Sequence, residues 1–340
     1  MIQVGIPRGL FYFYHYPLWK TFFTDLGAQV ITSSPTNRQT IDHGIEHTVD
    51  ECCFPIKVYF GHVRELMGKN PDYILAPRLV STEPRSYICP KFMGIPDMIR
   101  ATFNPCPPLI DITVDCSRDT RQLWQDIYRI GNLFNTSKKG VRQAYEHGGQ
   151  EMKRVRVWTR QGYSPDEAIA LWENDGEVAQ AVQYGPANLC VGVLGHGYSL
   201  YDTTISLKLI EKLRHLGCRV VLLESCSRDI LEKEAARLPK KMFWTLGRKM
   251  LGSALMMDKN PAIDGIVYLA CFGCGPDSMV GDIIARKAEH KPFLLVTIDE
   301  HSGEGGLVTR LEAFCDMLRR KKVMELESDL SPYGVHAHSP

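Results

Sequence analysis

Short apolar runs separated by stretches of helical length recur in this chain, and the alternation occurs twice, once in each half. In the first half, residues 3–6 read as a strand. Pro7-Arg8-Gly9 then leads into an aromatic-rich helical stretch closed by Gly27, and residues 29–32 form the next strand. Strand-like runs follow at 73–76 and 108–112, with a loop carrying Cys89 and a helix from about Pro96 between them. Residues 117–185 hold no comparable run, only helical and charged segments at 119–134 and 166–181. The pattern restarts with strands at 188–194 and 219–224, a helix over 204–216 closed by Gly217, and strands at 265–270 and 292–298. Strands alternating with helices of this length imply parallel βαβ units, so the expected class is α/β. The boundaries predict a first lobe over 1–116, a helical insert or bridge over 117–185, a second lobe over 186–330 and a tail over 331–340. A chain of 340 residues is long enough for each lobe to bury its own core.

Bulk properties narrow the function classes. A formal charge of +1 gives no electrostatic footprint for nucleic acid, and no window approaches the roughly 20 apolar residues of a membrane-spanning helix. Met1-Ile2-Gln3-Val4-Gly5 already reads as strand, without a basic segment and apolar stretch of an export signal, so a cytoplasmic location is expected. Eleven cysteines is an odd count without the spacing of a small secreted scaffold. Reduced thiols, some of them metal ligands, fit better than a disulfide framework.

Three of those cysteines stand where a strand is expected to give way to a helix: Cys53 in Glu51-Cys52-Cys53-Phe54-Pro55, Cys89 in Cys89-Pro90-Lys91, and Cys274 in Cys271-Phe272-Gly273-Cys274-Gly275-Pro276. Proline or glycine follows each. A thiolate in such a place faces backbone N–H groups and the positive helix end, which suits an anionic iron–sulfur cluster. The run at 74–76 followed by Cys89 also matches the run at 266–270 followed by Cys271 and Cys274, although no residue-level repeat is visible. Ligands of open parallel sheets collect beyond the carboxyl ends of the strands, so two facing lobes would bring the Cys89 and Cys274 loops into one cleft. Three thiolates leave one iron of a cubane open, four close it, and five near one cleft allow a larger double cluster with Cys116 or Cys226 as a sixth ligand. Cys52 and Cys271 read equally as small buried residues. Cys106, Cys190, Cys218 and Cys315 fall in apolar or helical patterns and read as core.

Other motifs carry a functional and a structural reading side by side. Gly192-Val193-Leu194-Gly195-His196-Gly197 joins a strand to a helix, where Gly195, His196, Tyr198 or Asp202 would contact a cluster or ligand; ordinary capping is the competing reading. It is not the dinucleotide fingerprint, and no Gly-Lys-Ser/Thr phosphate loop occurs, so any ATP-driven electron supply must come from a partner. Asp299-Glu300-His301 lies past the last strand. Glu300 is the choice for a general base, with His301 and His196 as further acid–base candidates, and helix capping competes here too. Cys271-Phe272-Gly273-Cys274 has the spacing of a dithiol pair but comes late in its half for a thioredoxin-like unit. His43 and His47 share a helical face without the glutamate placement of a zinc protease. Aromatics 11–16 with Trp19 read most simply as core or interface, although with Arg8 they follow the first strand and could reach the cleft, and the basic residues around Trp244 read as a solvated face.

Glu51-Cys52-Cys53-Phe54-Pro55-Ile56-Lys57 with Gly61-His62, then Cys89-Pro90, Gly195 to Asp202, Cys274-Gly275-Pro276-Asp277-Ser278 and Ile298 to Gly303 together resemble proteins related to acyl-CoA dehydratase activases. These are similar to the iron–sulfur subunits of 2-hydroxyacyl-CoA dehydratases and to double-cubane cluster proteins. The resemblance implies two Rossmann-like lobes with a 4Fe–4S or larger double-cubane cluster between them, ligated by Cys53, Cys89 and Cys274. It also implies a separate ATP-hydrolysing activator as electron donor and reduction or dehydration of a small molecule such as an acyl-CoA. Cys52 and Cys271 are additions to the family's ligand pattern. A carrier or cluster-assembly protein without a substrate is the alternative, and a homodimer, a lone chain or a second subunit all suit the pattern.

Overall fold

The computed structural model describes residues 1–177 and 186–330; the tail expected over 331–340 and the end of the expected insert, 178–185, lie outside the described residues. Among the described residues the strands are β1 (Gln3–Ile6), β2 (Gln29–Thr32), β3 (Tyr73–Leu75), β4 (Arg78–Ser81), β5 (Leu109–Ile110), β6 (Thr113–Asp115), β7 (Leu189–Gly195), β8 (Cys218–Leu222), β9 (Gly265–Cys271) and β10 (Phe293–Ile298). They form two four-stranded parallel sheets, ordered β2-β1-β3-β5 and β10-β9-β7-β8, and a two-stranded parallel pair, β4-β6. Each larger sheet places its first strand centrally, the second strand on one side and the third on the other. The chain therefore reverses its winding between β1 and β3, and again between β7 and β9, and a crevice opens beyond the carboxyl ends at each reversal. Helices flank the sheets, so the expected α/β class with two parallel-sheet lobes is the observed one. β7 and β9 are buried along their whole length, which explains their unbroken apolar text.

The connecting helices depart from the sequence expectation where a cap or a backbone turn decides. α1 (Tyr12–Asp25) joins β1 to β2, and α2 (Arg38–Glu46) with α3 (Phe54–Lys69) joins β2 to β3. α4 (Pro90–Thr102) starts directly at Cys89 rather than near Pro96, because Pro90 at the first helical position is preorganised for it. Cys53 follows a turn after α2, not a strand. α5 (Arg121–Leu133), α6 (Lys138–Arg160) and α7 (Pro165–Glu173) come between the sheets in sequence, and α8 (Gly197–Leu200) follows β7. The helix expected over 204–216 begins only as α9 (Leu209–His215). Asp202 binds the N–H groups of Thr204 and Ile205, and Leu207 and Lys208 sit in the left-handed region, φ 51° and 56°. α10 (Arg228–Ala235), α11 (Thr245–Lys259), α12 (Gly275–Lys287) and α13 (Glu304–Leu330) complete the set.

The two sheets share one core, and the second sheet has a further one of its own. One apolar cluster runs from Val4 and Ile74 of the first sheet through Tyr198 to Val193, Leu269 and Phe314, while a second, behind β7 and β9, packs Ile266 and Tyr268 against Met250, Leu251 and Val280. Polar ties cross the same seam. Glu83 takes Arg248 at 2.6 Å and both Arg228 and Lys249 at 3.1 Å, and the Tyr87 backbone pairs with Phe243 and Thr245 at 2.8 and 3.0 Å. Thr36 donates to Asp202 and Gly197 N–H donates to the Tyr14 phenol. α7 reaches both sides: Tyr16 and Lys20 bind Glu173, and Arg214 binds Glu167.

α2 and α3 cross at two glycines. A Cβ on Gly44 would fall far inside contact distance of the Lys57 carbonyl, and one on Gly61 would do the same at Thr40. The crossing therefore seats the start of α3, where Cys53 and Lys57 lie. Gly44→Ala is expected to destabilise the protein by about 3 kcal/mol, the upper part of the usual overpacking range. Gly68→Ala, in open space near the end of α3, should instead gain up to about 1 kcal/mol, both read by urea unfolding.

Candidate metal centre

The carboxyl ends of β7 and β9, at the second winding reversal, carry His196 and Cys271. Gly195 permits this closeness, since a Cβ there would stand 2.8 Å from the Leu269 carbonyl. The chain turns from Cys271 through an exposed Phe272-Gly273 pair into α12, whose N-cap is Cys274. Cys53 and Cys89 are the N-caps of α3 and α4, and each of the three helices has proline in its first two positions. The tertiary fold brings these ends together. Cys53 feels the charges of Cys89 and Cys52; Cys271 and Cys274 feel that of Cys53, and a Cβ on Gly273 would touch the Cys53 Cα at 4.0 Å. Cys53 and Cys89 thus come from the first lobe and Cys271 and Cys274 from the second.

The four thiols share one electrostatic problem. Burial pushes Cys53 up to about 11, opposed by the Lys91 ammonium and the Ile56 amide and reinforced by Cys89 and Cys52. Burial also raises Cys89, against the Lys91 amide and charge. Cys271 and Cys274 are driven much higher by burial, by the nearby Asp277 carboxylate and by Cys53. No thiol closes a helix cap, yet at each N-cap a first-turn amide, of Ile56, Lys91 or Asp277, favours the thiolate. Several thiolates side by side in a low-dielectric pocket repel one another, so they ionise together only with a cation among them. Soft sulfur donors are the ligand type that iron–sulfur clusters take. The donor chemistry is therefore that of the expected cluster, while the ligand atoms within 4.8 Å of one another among the described residues are those of His196, Cys274 and Asp277.

Around the thiols stand groups of mixed legibility. Asp277, three residues into α12, is 2% exposed and accepts from the Tyr268 hydroxyl at 2.8 Å and the Cys271 amide at 3.1 Å. Its Oδ1 lies 3.3 Å from His196 Nε2, and His196, Cys274 and Asp277 offer ligand atoms within 4.8 Å of one another. His196 Nδ1 is buried without a hydrogen-bond partner, and burial lowers the ring's affinity for a proton. Tyr198 stacks on His196 at 4.8 Å; burial and the charges of Cys274, Asp277, Cys53 and Cys271 keep its phenol protonated. Ser199 accepts from the Cys271 thiol at 3.2 Å. Asp277, Lys57 and Ser199 carried no role in the sequence reading. The signals for the first two were present: an acid three residues after the Cys274 cap, and a lysine four after Cys53, on one helix face.

Other candidates fall elsewhere or into other duties. Asp202 spends its oxygens on Thr36, Thr204 and Ile205, closing the seam between the sheets. Cys52 packs in the shared core next to Cys53. Cys116 lies near Asp115 and Tyr145, and Cys226 beside Ser253 and Glu224, away from the four thiols' named neighbours. Cys190, Cys218 and Cys315 are buried, the last two with sulfurs 3.5 Å apart, whereas Cys106 is only partly covered, in the loop after α4. His301 is exposed, and its N–H caps Asp299 at 3.0 Å. Glu300 accepts a hydrogen bond from Lys57 across the seam, with both side chains largely buried.

A parallel α/β protein with cysteines of both sheets gathered at their seam is the class that fold and site define. The chain belongs to the family described as CoA enzyme activase uncharacterised domain (DUF2229), whose model matches residues 3–226. The match takes in Cys52, Cys53, Cys89, His196 and Asp202, and ends before Cys271, Cys274 and Glu300. No curated protein matches the chain. No helix among the described residues is long and apolar enough to cross a membrane.

The Lys57–Glu300 pair makes a pH prediction. Burial raises the Glu300 carboxyl, but the Lys57 hydrogen bond, its own amide and the Lys57 and His301 charges outweigh it, so the folded value lies below the ordinary 4.5. A depressed acid stabilises the folded state fully above its unfolded value and loses that contribution as pH falls through the folded value. Urea unfolding between about pH 6 and pH 3 should show this loss below about 4.5. Glu300→Gln should be less stable at neutral pH, because it leaves Lys57 buried and unpaired, and should show a shallower acid slope.

Proposed function

We propose that this chain is an iron–sulfur protein similar to the iron–sulfur subunits of 2-hydroxyacyl-CoA dehydratases and to double-cubane cluster proteins. The observation that carries the reading is the convergence of Cys53 and Cys89 with Cys271 and Cys274 at three helix amino ends. Family membership supports a place in CoA enzyme activation chemistry. In this reading Cys53, Cys89 and Cys274 hold the group, and Cys271 and Cys52 decide between a 4Fe–4S cubane and a larger double cubane. When bound, such a group supplies low-potential electrons and, where one iron lacks a thiolate, a Lewis acid for a small substrate such as an acyl-CoA. Electrons come from a separate ATP-hydrolysing activator protein. Free thiols throughout the chain suit the reducing cytoplasm.

The chain's own residues have distinct parts in this scheme. Lys91 and the helix amides offset thiolate charge, Ser199 takes the Cys271 thiol, and Asp277 holds the Cys271 amide and the position of His196. Tyr198 keeps its proton beside the sulfurs. Glu300, His301 and His196 are the acid–base groups if a substrate is turned over. A second reading, an electron carrier without a substrate, is favoured by one feature: Glu300, the intended base, is held by Lys57.

Anaerobic purification tests the proposal. The protein should be brown, with about four irons for a cubane or about eight for a double cubane and matching sulfide. Alanine at Cys53, Cys89 or Cys274 should abolish most of the iron, while Cys52→Ala and Cys271→Ala separate the two cluster types. A reconstituted protein without iron, or iron unchanged in the three variants, refutes the reading. A reduced-state spectrum that shifts with an acyl-CoA supports the enzyme, and one indifferent to every acyl-CoA tried supports the carrier.

A further inference from the structure

The winding reversal of the second sheet holds the thiols, and the equivalent reversal of the first sheet holds a cavity instead. Its volume is about 100 Å³, and Ile6 and Pro7 at the end of β1, with Leu75 and Pro77 at the end of β3, line it. α1 supplies rings from one side and α4 supplies Phe92 and Ile95 from the other. Phe92 lies one turn after Cys89; its ring meets Phe11 edge-on at 5.1 Å and Tyr198 at 5.5 Å, so this wall continues into the thiol centre.

The Tyr16 hydroxyl is spent on Glu173 and that of Tyr59 on the Leu75 carbonyl. His15, Thr82, the Tyr12 and Tyr145 hydroxyls and the Trp19 N–H also lie on the lining, and His15 is the imidazole among them. The His15 ring stacks on Phe11 at 5.5 Å, and burial, with Arg156 and Lys249 nearby, brings its pKa down to about 4, so it faces the cavity neutral at physiological pH. No carboxylate, ammonium or guanidinium lines the space. A charged ligand would be stranded there, whereas an apolar group gains from leaving water. An engineered apolar cavity of about 150 Å³ takes up benzene, so this space of about 100 Å³, which is not sealed, holds most of one ring or a short branched alkyl group.

We propose that this cavity is a binding site for an uncharged apolar group of about one aromatic ring in size, bearing an oxygen that hydrogen-bonds His15. Its place at the first sheet's reversal is where a ligand of such a sheet belongs. The inference goes beyond the metal reading and does not need it, because no lining group is a thiol.

The test uses the full chain as purified anaerobically, with 4-fluorophenol and 4-fluorotoluene followed by fluorine NMR and thermal unfolding. Saturable one-to-one binding with a rise in Tm is expected. Leu79→Phe and Ile95→Phe, which fill the space, should weaken both probes by at least about tenfold. His15→Leu should cost about tenfold for the phenol and leave the toluene unchanged. Wild-type protein that binds neither probe saturably, or binding indifferent to both filling variants, overturns the proposal. If a filling variant fails to fold, the methyl resonances of Leu79 and Ile95 in the wild type carry the test: they must shift on adding probe, and unmoved resonances overturn it. Iron content plays no part in these readouts, so failure here and failure of the cluster reading are separate events.

Discussion

Three helix amino ends meet at the seam of this protein, and positive ends brought together repel unless negative charge sits among them. Asp277 is the buried carboxylate closest to that requirement, and it is itself bound by a tyrosine hydroxyl and a strand-end amide rather than by a cation. Thiolates at the three caps would complete the balance, but burial and mutual repulsion hold them protonated. The charge at the three helix ends is therefore incompletely balanced by the protein's own groups, and the cluster proposed above would complete it. The geometry of the site rests on this tension.

Holding three helices in that position needs a rigid seam. The shared apolar core provides most of it, since residues of both sheets bury one another and neither sheet is covered without its counterpart. Around this core the ties are charged: Glu83 is enclosed by Arg248, Arg228 and Lys249, and Lys57 is paired with Glu300. Such pairs contribute less to stability than to orientation, because desolvation offsets much of their attraction, while loss of one partner strands the other. The two glycine crossings beneath α3 carry the same demand to the backbone.

Much of the fold was legible because it depends on local pattern. β1 and β2 have the limits expected from the apolar runs, and β7 to β10 lie within a residue or two of theirs. The short β4 and β6 escaped notice because three or four residues of mixed text carry no period, and the late start of α9 escaped because Asp202 and two left-handed residues redirect the chain. At the site, the cysteine caps of α3, α4 and α12 were legible from proline and glycine after sulfur. Glu300 was legible as a residue beyond the last strand but not in its partner, since Lys57 lies 243 positions away. The apolar lining of the first sheet's crevice looked like ordinary core, because a cavity has no signature in a list of aromatic residues.

The sequence by itself determined the α/β class, the repeated strand–helix order and the placement of thiols at helix starts, all of which follow from spacing within a few residues. Only the tertiary structure decided that Cys53 and Cys89 face Cys271 and Cys274, that the two sheets share one core, and that one crevice is lined by sulfur and the other by rings. Those facts depend on contacts between segments far apart in the chain. Periodicity specifies which face a residue takes, whereas packing of whole elements specifies what that face meets.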